Sequence, residues 1–262
     1  WLQAPESGSR RFVCLTFDDG FSDIYTEALP VCREYGLPMT VYLVSAFIRR
    51  EFPIWWLGLE ATLAPNDAIN FDWNGWHWRF STRTDRQKQQ AYGAIAPHLA
   101  SAKPEEVQQF CSELERHYGI DFGALADRNL LTPSMIPEMQ PSGLVEFGAH
   151  SVHHACLGGQ DEAEAYREIA QSKQDCEALL GVTVRHFAYP YGDRRPAGAR
   201  EAAICRQLGF LTAVTTECNT IFAGDRRRPF LLPRLTYNGR FQDTPLLDLL
   251  LSGTLPRLRR IW

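Results

Sequence analysis

The run Leu15-Thr16-Phe17 leads directly into Asp18-Asp19-Gly20. A hydrophobic strand ending on two carboxylates and a glycine places both acids at its C-terminal end, where β/α proteins assemble their sites. Adjacent residues point in different directions, so one acid can hold a cation while the other stays free to take a proton. The same tetrad also fits a turn with a helix N-cap. A second run, Phe147 to His154, carries His150, His153 and His154. Histidines four residues apart fall on one side of a helical turn, where both can reach one cation. Two imidazoles and one carboxylate leave coordination positions for water and substrate, which suits catalysis better than structural closure. Because His153 lies inside the run, spacing alone leaves the ligating pair open. A third run, Phe187-Ala188-Tyr189-Pro190-Tyr191-Gly192, ends a strand in a tight turn. From such a turn a backbone N–H can point at a developing oxyanion, although Pro-Tyr-Gly turns are also common structural features.

Three runs so far apart in the chain need a scaffold that brings them together. Strand-like runs occur at Arg11–Phe17, Met39–Val44, Leu144–Ala149, Val184–Tyr189, Leu211–Thr215 and Phe230–Thr236. Helical patterns at Ile24–Tyr35, Asp161–Leu180 and Pro196–Leu208 alternate with several of them, each closed by a glycine (Gly36, Gly181, Gly209). This alternation predicts a mainly parallel sheet or a β/α barrel. The regularity breaks between about Arg49 and Pro141, a stretch rich in tryptophan (Trp55, Trp56, Trp73, Trp76, Trp78) with one helix expected near Glu105–Tyr118. No flexible linker bounds it, so it reads as a long insertion packed on the barrel within a single domain spanning residues 1–262. Its tryptophans can stack on sugar rings, but the favoured reading makes them the insertion's own small core.

Composition narrows the function further. With 45% hydrophobic and 22% charged residues, 262 residues can bury a sizeable core. A net charge of −4 offers no electrostatic footprint for nucleic acid. The basic clusters Arg226-Arg227-Arg228 and Arg257 to Arg260 read as a solvated loop and tail. Seven cysteines without Cys-x-x-Cys spacing argue against a zinc ribbon or redox motif. Their odd number and apolar settings point to small buried hydrophobes in a reducing compartment, so the expected localisation is cytoplasmic. The tail, Asp243 to Trp262, combines a leucine cluster with basic residues. It reads first as a helix docked on the barrel and second as a membrane-surface contact.

In their order and content the three chemical runs resemble the polysaccharide deacetylase family, also called the NodB-homology or carbohydrate esterase 4 group. The resemblance covers roughly Arg11 to Val44 and Leu144 to Thr236. It implies an α/β fold, a distorted (β/α)7 barrel, here with the long Trp-rich insertion (about 49–141) after the second strand. It also implies that Asp19, His150 and His154 hold a divalent metal, usually zinc. Asp18 would be the general base, and Tyr191 would supply a backbone N–H to the oxyanion. The implied partner is a carbohydrate substrate, a polysaccharide or glycolipid sugar, and family members also act on cell-envelope polymers.

The chain departs from the family pattern in three places. Ala188 stands where members often carry an arginine that orients the catalytic aspartate, and Arg234 in Leu232-Pro233-Arg234-Leu235 is the candidate replacement. The alternative for Arg234 is a pairing with a surface carboxylate. Ala155 replaces a frequent proline after the second histidine. No histidine follows His186, although the family usually supplies a late histidine to protonate the leaving amine. His153, His77 or a water are the substitutes to consider. The loss also suits an alcohol leaving group from an O-acetyl ester, which needs less acid assistance. The leading expectation is a metal-dependent hydrolase acting on an N-acetylated carbohydrate. An O-acetyl esterase or other amide hydrolase, and a non-catalytic carbohydrate-binding relative, are the alternatives. Two adjacent acids argue against the last, since a binder needs only the ligand.

Overall fold

Short β-branched and aromatic runs separated by helices bury both faces when they pair in parallel, and that is how this chain is built. The computed structural model describes residues 12–191, 197–237 and 244–252. In chain order the elements are β1 (Leu15–Phe17), α1 (Leu29–Tyr35), β2 (Met39–Leu43), α2 (Ser45–Ile48), α3 (Trp55–Leu63), β3 (Ala68–Trp73) and β4 (Trp76–Ser81). There follow α4 (Asp85–Ser101), α5 (Pro104–Tyr118), α6 (Phe122–Asn129), α7 (Met135–Met139), β5 (Val145–Ala149) and α8 (Glu162–Leu180). The chain continues with β6 (His186–Ala188), α9 (Ala199–Gln207), β7 (Thr212–Cys218), β8 (Leu232–Arg234) and α10 (Thr244–Leu251).

Six of the described strands form one curled parallel sheet in the order β1-β2-β5-β6-β7-β8. This is the distorted β/α barrel expected from the sequence. Among the described residues no ladder joins β1 to β8, and the two meet instead through Arg234, whose Nη1 donates to Thr16 Oγ1 at 3.2 Å. The register pairs Phe17 with Val41, Leu43 with Ala149, Ala149 with Phe187 and Ala188 with Val214. Parallel strands so aligned deliver their C-terminal residues to one rim. Asp18, His150, Tyr189 and Arg234 therefore reach the same end of the sheet.

Helix α8 lays Ala165, Ile169, Cys176 and Leu180 against the sheet. Its N-cap Asp161 accepts from the Glu164 N–H at 2.9 Å, and Gly181 closes it in the left-handed conformation at φ 69°. Cys32, Cys176 and Cys205 are buried in the barrel core as small hydrophobes, in keeping with the sequence reading. Arg11, Gly192 and Pro196 lie outside the described residues, as does the basic tail Arg257 to Arg260. Helix α10 forms within the leucine cluster and leaves Leu249 and Leu251 exposed. No helix among the described residues is long and apolar enough to cross a membrane.

The stretch from 49 to 141 holds more structure than the one helix expected there. It contains α3 to α7 and a β3–β4 hairpin. The hairpin turns at Asn74 and Gly75, with φ of 50° and 77°. Asn-Gly readily takes the two positive φ angles of a two-residue turn that matches the right-handed twist of paired strands, a signal that the reading of the sequence passed over. Trp55, Trp73 and Trp78 are buried in a second core with Phe71 and Phe110, which meets the barrel at Phe47 and Val152. Trp56 is half-buried and Trp76 is exposed. Most of these tryptophans are thus core, as favoured.

Packing between neighbouring strands sets a sharp steric limit at Gly148. A Cβ there would lie 2.5 Å from the Tyr42 ring and 2.8 Å from the His186 carbonyl. Gly148→Ala is expected to destabilise the fold by about 1–3 kcal/mol, read as a melting temperature lower by about 2–4 °C per kcal/mol. An unchanged thermal transition would contradict this packing.

Candidate metal centre and active site

The two aspartates separate because the backbone turns sharply between them. Asp19 and Gly20 both take positive φ, 69° and 77°, and the Gly20 N–H donates to the Asp18 carbonyl at 2.9 Å. A side chain at Gly20 would also meet Ile48 and Leu43 at 2.9 and 3.0 Å. Asp18 is gripped by Arg234, whose Nη1 and Nη2 donate to Oδ1 and Oδ2 at 2.8 and 2.7 Å. Arg234 is itself held by Nε donating to the Thr215 carbonyl at 3.0 Å, and it lies over the Tyr42 ring. The alternative of a surface ion pair for Arg234 is thereby replaced by a planar fork on Asp18. Asp19 faces the other way, with Oδ1 at 3.4 Å from His150 Nε2 and 3.3 Å from His154 Nε2.

The histidines do not sit on a helical turn, contrary to the expectation from their spacing. Residues 150–156 form an irregular loop in which Ser151 and His154 adopt φ of 62° and 55°. Left-handed residues bend the chain back on itself and bring the imidazoles together by a tighter route. Glu168 of α8 holds this loop: Oε2 accepts the N–H groups of Val152 and His153 at 3.0 and 3.1 Å. Its Oε1 pairs with His153 Nδ1 at 2.6 Å, and the His153 ring packs edge-on against Phe52. His153 is thus drawn away, while Asp19, His150 and His154 present donor atoms within 4.8 Å of one another. Glu168 was missed in the sequence. The available signal was a carboxylate falling on the apolar face of a helix, between Ala165 and Ile169.

His150 Nδ1 lies 2.7 Å from the Ala188 carbonyl. A carbonyl can only accept, so Nδ1 carries the proton and Nε2 turns its lone pair towards Asp19. Burial lowers the pKa of His150, and it pushes His154 down to about 4, so both rings are neutral near pH 7. Burial, with Asp18 alongside, pushes Asp19 up to about 6 despite His150 and Arg234. Burial also works against the charge on Asp18, but His150 and the Arg234 fork outweigh it and hold this carboxyl below its ordinary value. Asp19 Oδ1 and His154 Nδ1 are buried with no hydrogen-bond partner among the described residues. Neutral imidazole lone pairs gathered round an orphaned carboxylate oxygen form a donor set that suits a divalent cation.

Strain marks the same place. Of the six non-glycine residues with positive φ among the described residues, Asp19, Ser151, His154 and Tyr191 belong to this rim. Each costs on the order of 1–3 kcal/mol and persists only where surrounding contacts fix it. Tyr191, at φ 54°, is fixed by its Oη accepting from Trp55 Nε1 at 3.1 Å and by its ring standing edge-on to His154. Among the described residues its backbone N–H has no acceptor. A cleft of about 430 Å³ opens beside it, bounded by Asp19, His154 and Tyr191 on the barrel side and by α3 and α4 opposite. Neither histidine considered as a replacement acid lines this cleft. His153 is engaged with Glu168, and His77 pairs with Asp72 on the exposed hairpin.

A family model described as polysaccharide deacetylase matches residues 6–212, which takes in both aspartates, both facing histidines and Tyr191. The chain belongs to the polysaccharide deacetylase family. The Bacillus subtilis (strain 168) protein YxkH, named for the same family, is 36% identical over 47 residues, a match covering 18% of this chain and only 17% of that protein. Among solved structures, a Streptococcus pyogenes deacetylase, PplD, in complex with acetate aligns at TM-score 0.55 and 17% identity, covering 92% of this chain and 70% of its own. IcaB from Ammonifex degensii aligns at TM-score 0.53 and 18% identity, covering 91% and 72%. A de-N-acetylase from Aggregatibacter actinomycetemcomitans gives TM-score 0.53 at 15% identity, covering 94% and 76%. At such identities these likenesses establish the shared fold.

The grip of Glu168 on the histidine loop has a measurable consequence. Glu168→Ala leaves the buried Val152 N–H without its acceptor and the His153 amide and ring unpaired. Each orphaned donor costs about 1–3 kcal/mol, so a clearly lower denaturation midpoint is expected. A variant as stable as the parent would show that the loop does not depend on this carboxylate.

Proposed function

We propose that this chain is a metal-dependent hydrolase that removes acetyl groups from an N-acetylated carbohydrate. Asp19, His150 and His154 hold the cation, and Asp18 is the catalytic base. The observation that carries the reading is the orphaned Asp19 Oδ1 set between two imidazole nitrogens at 3.4 and 3.3 Å. One carboxylate and two neutral imidazoles are a donor set that would suit zinc. When bound, such a cation polarises an acyl carbonyl and brings the pKa of water towards ~7. Family membership and the deacetylase and de-N-acetylase relatives support the acetyl amide as the substrate.

The residues of the chain then divide the work. Asp18 Oδ2 lies 3.9 Å from His150 Nε2, beside the donor cluster but outside it, and is free to take a proton from the attacking water. Arg234 keeps Asp18 ionised and fixes its plane. The Tyr191 N–H stands ready to donate to the carbonyl oxygen as it gains charge, an interaction worth about 3–4 kcal/mol in comparable sites. Water adds OH to the acyl carbon and its remaining proton to the nitrogen as the C–N bond breaks, giving a carboxylic acid and an amine. With no other histidine in the cleft, Asp18 also returns the proton it received to the leaving nitrogen. The same scarcity of acids favours a second reading, an O-acetyl ester whose alkoxide leaving group needs less protonation.

Three variants separate these roles. Asp18→Asn should keep stoichiometric zinc by elemental analysis while turnover falls about 10²–10⁴-fold. His154→Ala should lose zinc and turnover together. Arg234→Lys keeps the charge but not the fork, and should lower kcat about 10–100-fold with metal content intact. Acetate release from N- and O-acetylated sugars, with and without a chelator, provides the assay. Near parental activity in Asp18→Asn would remove the base from this scheme.

A further inference from the structure

The wall of the cleft opposite the metal centre is built by α4, through Gly93, Ala96, Pro97 and Ala100. These positions recur at helical spacing and form one smooth face. Two of them are poor choices for a helix interior. Glycine loosens the backbone, and proline removes a hydrogen bond and crowds the preceding turn. Packing does not require the glycine. A Cβ at Gly93 would meet nothing within 4 Å, whereas one at Gly58 would strike the Phe122 ring at 2.2 Å. Gly93 has no left-handed backbone to explain it either. What it does is leave room in the cleft.

The lining indicates what occupies that room. A sugar ring taken out of water needs polar partners for its hydroxyls. Here Asp19 and His154 belong to the metal centre, and the Tyr191 hydroxyl is already engaged by Trp55. Among the described residues, the further polar groups are the Tyr92 hydroxyl and the Trp56 indole N–H, beside Trp55 and the α4 face. Methylenes lose nothing in such surroundings. The cleft starts at the residues proposed to act on the acyl carbonyl and runs away from them over apolar surface.

We infer that this cleft receives the acyl chain of the substrate, that it admits chains longer than acetyl, and that Gly93 sets the length admitted. The inference rests on the proposed hydrolysis of an N-acyl sugar, and it makes α4 the specificity element of that reaction.

The test measures binding separately from turnover. Acetate, butyrate and hexanoate are titrated calorimetrically into the zinc-loaded chain. Affinity should rise about fourfold for each methylene that enters the cleft. Gly93→Leu, and one turn pair further along Ala100→Leu, should flatten the series so that hexanoate binds no tighter than acetate. In parallel, amine release from N-acetyl-, N-butyryl- and N-hexanoylglucosamine is followed, and the longer chains should be accepted. A flat series in the parent chain, or one that the leucine variants leave rising, overturns the inference. Turnover of the N-acetyl sugar alone with a flat series ends the inference and leaves the hydrolase reading intact. A rising series without turnover of any N-acyl sugar keeps the cleft as an acyl-chain site and ends the N-acyl hydrolase reading.

Discussion

A guanidinium withdrawn from water must be met by a carboxylate, and in this chain Arg234 is met by Asp18. Much else follows from that pairing. Arg234 closes β8, Asp18 follows β1, and the two strands share no ladder among the described residues. The fork, with its bonds to Thr16 and Thr215, is what links the first and last strands of the sheet at this rim. It also turns Asp18 away from Asp19, so that two acids adjacent in sequence stand in different electrostatic surroundings. One keeps its charge through the cationic fork. The other is left facing neutral imidazoles with an oxygen unpartnered.

The opposite side of the rim depends on a second buried carboxylate. Glu168 sits at 7% exposure on α8 and satisfies the amides of a loop that has no helical hydrogen bonds of its own. It acts with the Ser45 and Ala46 N–H groups, which donate to the Ser151 and Val152 carbonyls, to hold the left-handed bends at Ser151 and His154. The two carboxylates are therefore complementary in position. Asp18 with Arg234 ties the sheet edges, and Glu168 ties the histidine loop to the helix behind it. Between them the donor atoms of Asp19, His150 and His154 converge.

The second hydrophobic core does more than add mass beside the barrel. Trp55 belongs to it and donates to Tyr191, so the excursion fixes a residue on the barrel rim. Helix α4 packs Ala91, Ile95 and Leu99 inward and presents its opposite stripe to the cleft. Helix α4 is thus anchored by one stripe and shapes the cleft with the other.

Local sequence determined a good deal by itself. The six barrel strands, the glycine stops of α1 and α8, and the placement of Asp18, Asp19, His150 and Tyr191 after strands all follow from short-range pattern, because hydrophobic period and turn chemistry act within a few residues. The Asn74-Gly75 hairpin was equally legible and was passed over. Tertiary structure alone decided the rest. It chose His154 over His153, because Glu168 comes from a different element and draws one imidazole aside. It made Arg234 the partner of Asp18 across 216 residues of chain. It set α4 opposite the Asp19–His154 side of the cleft and kept His77 and His153 out of that cleft. Such choices depend on which side chains meet after the sheet has curled, and no local pattern carries that information.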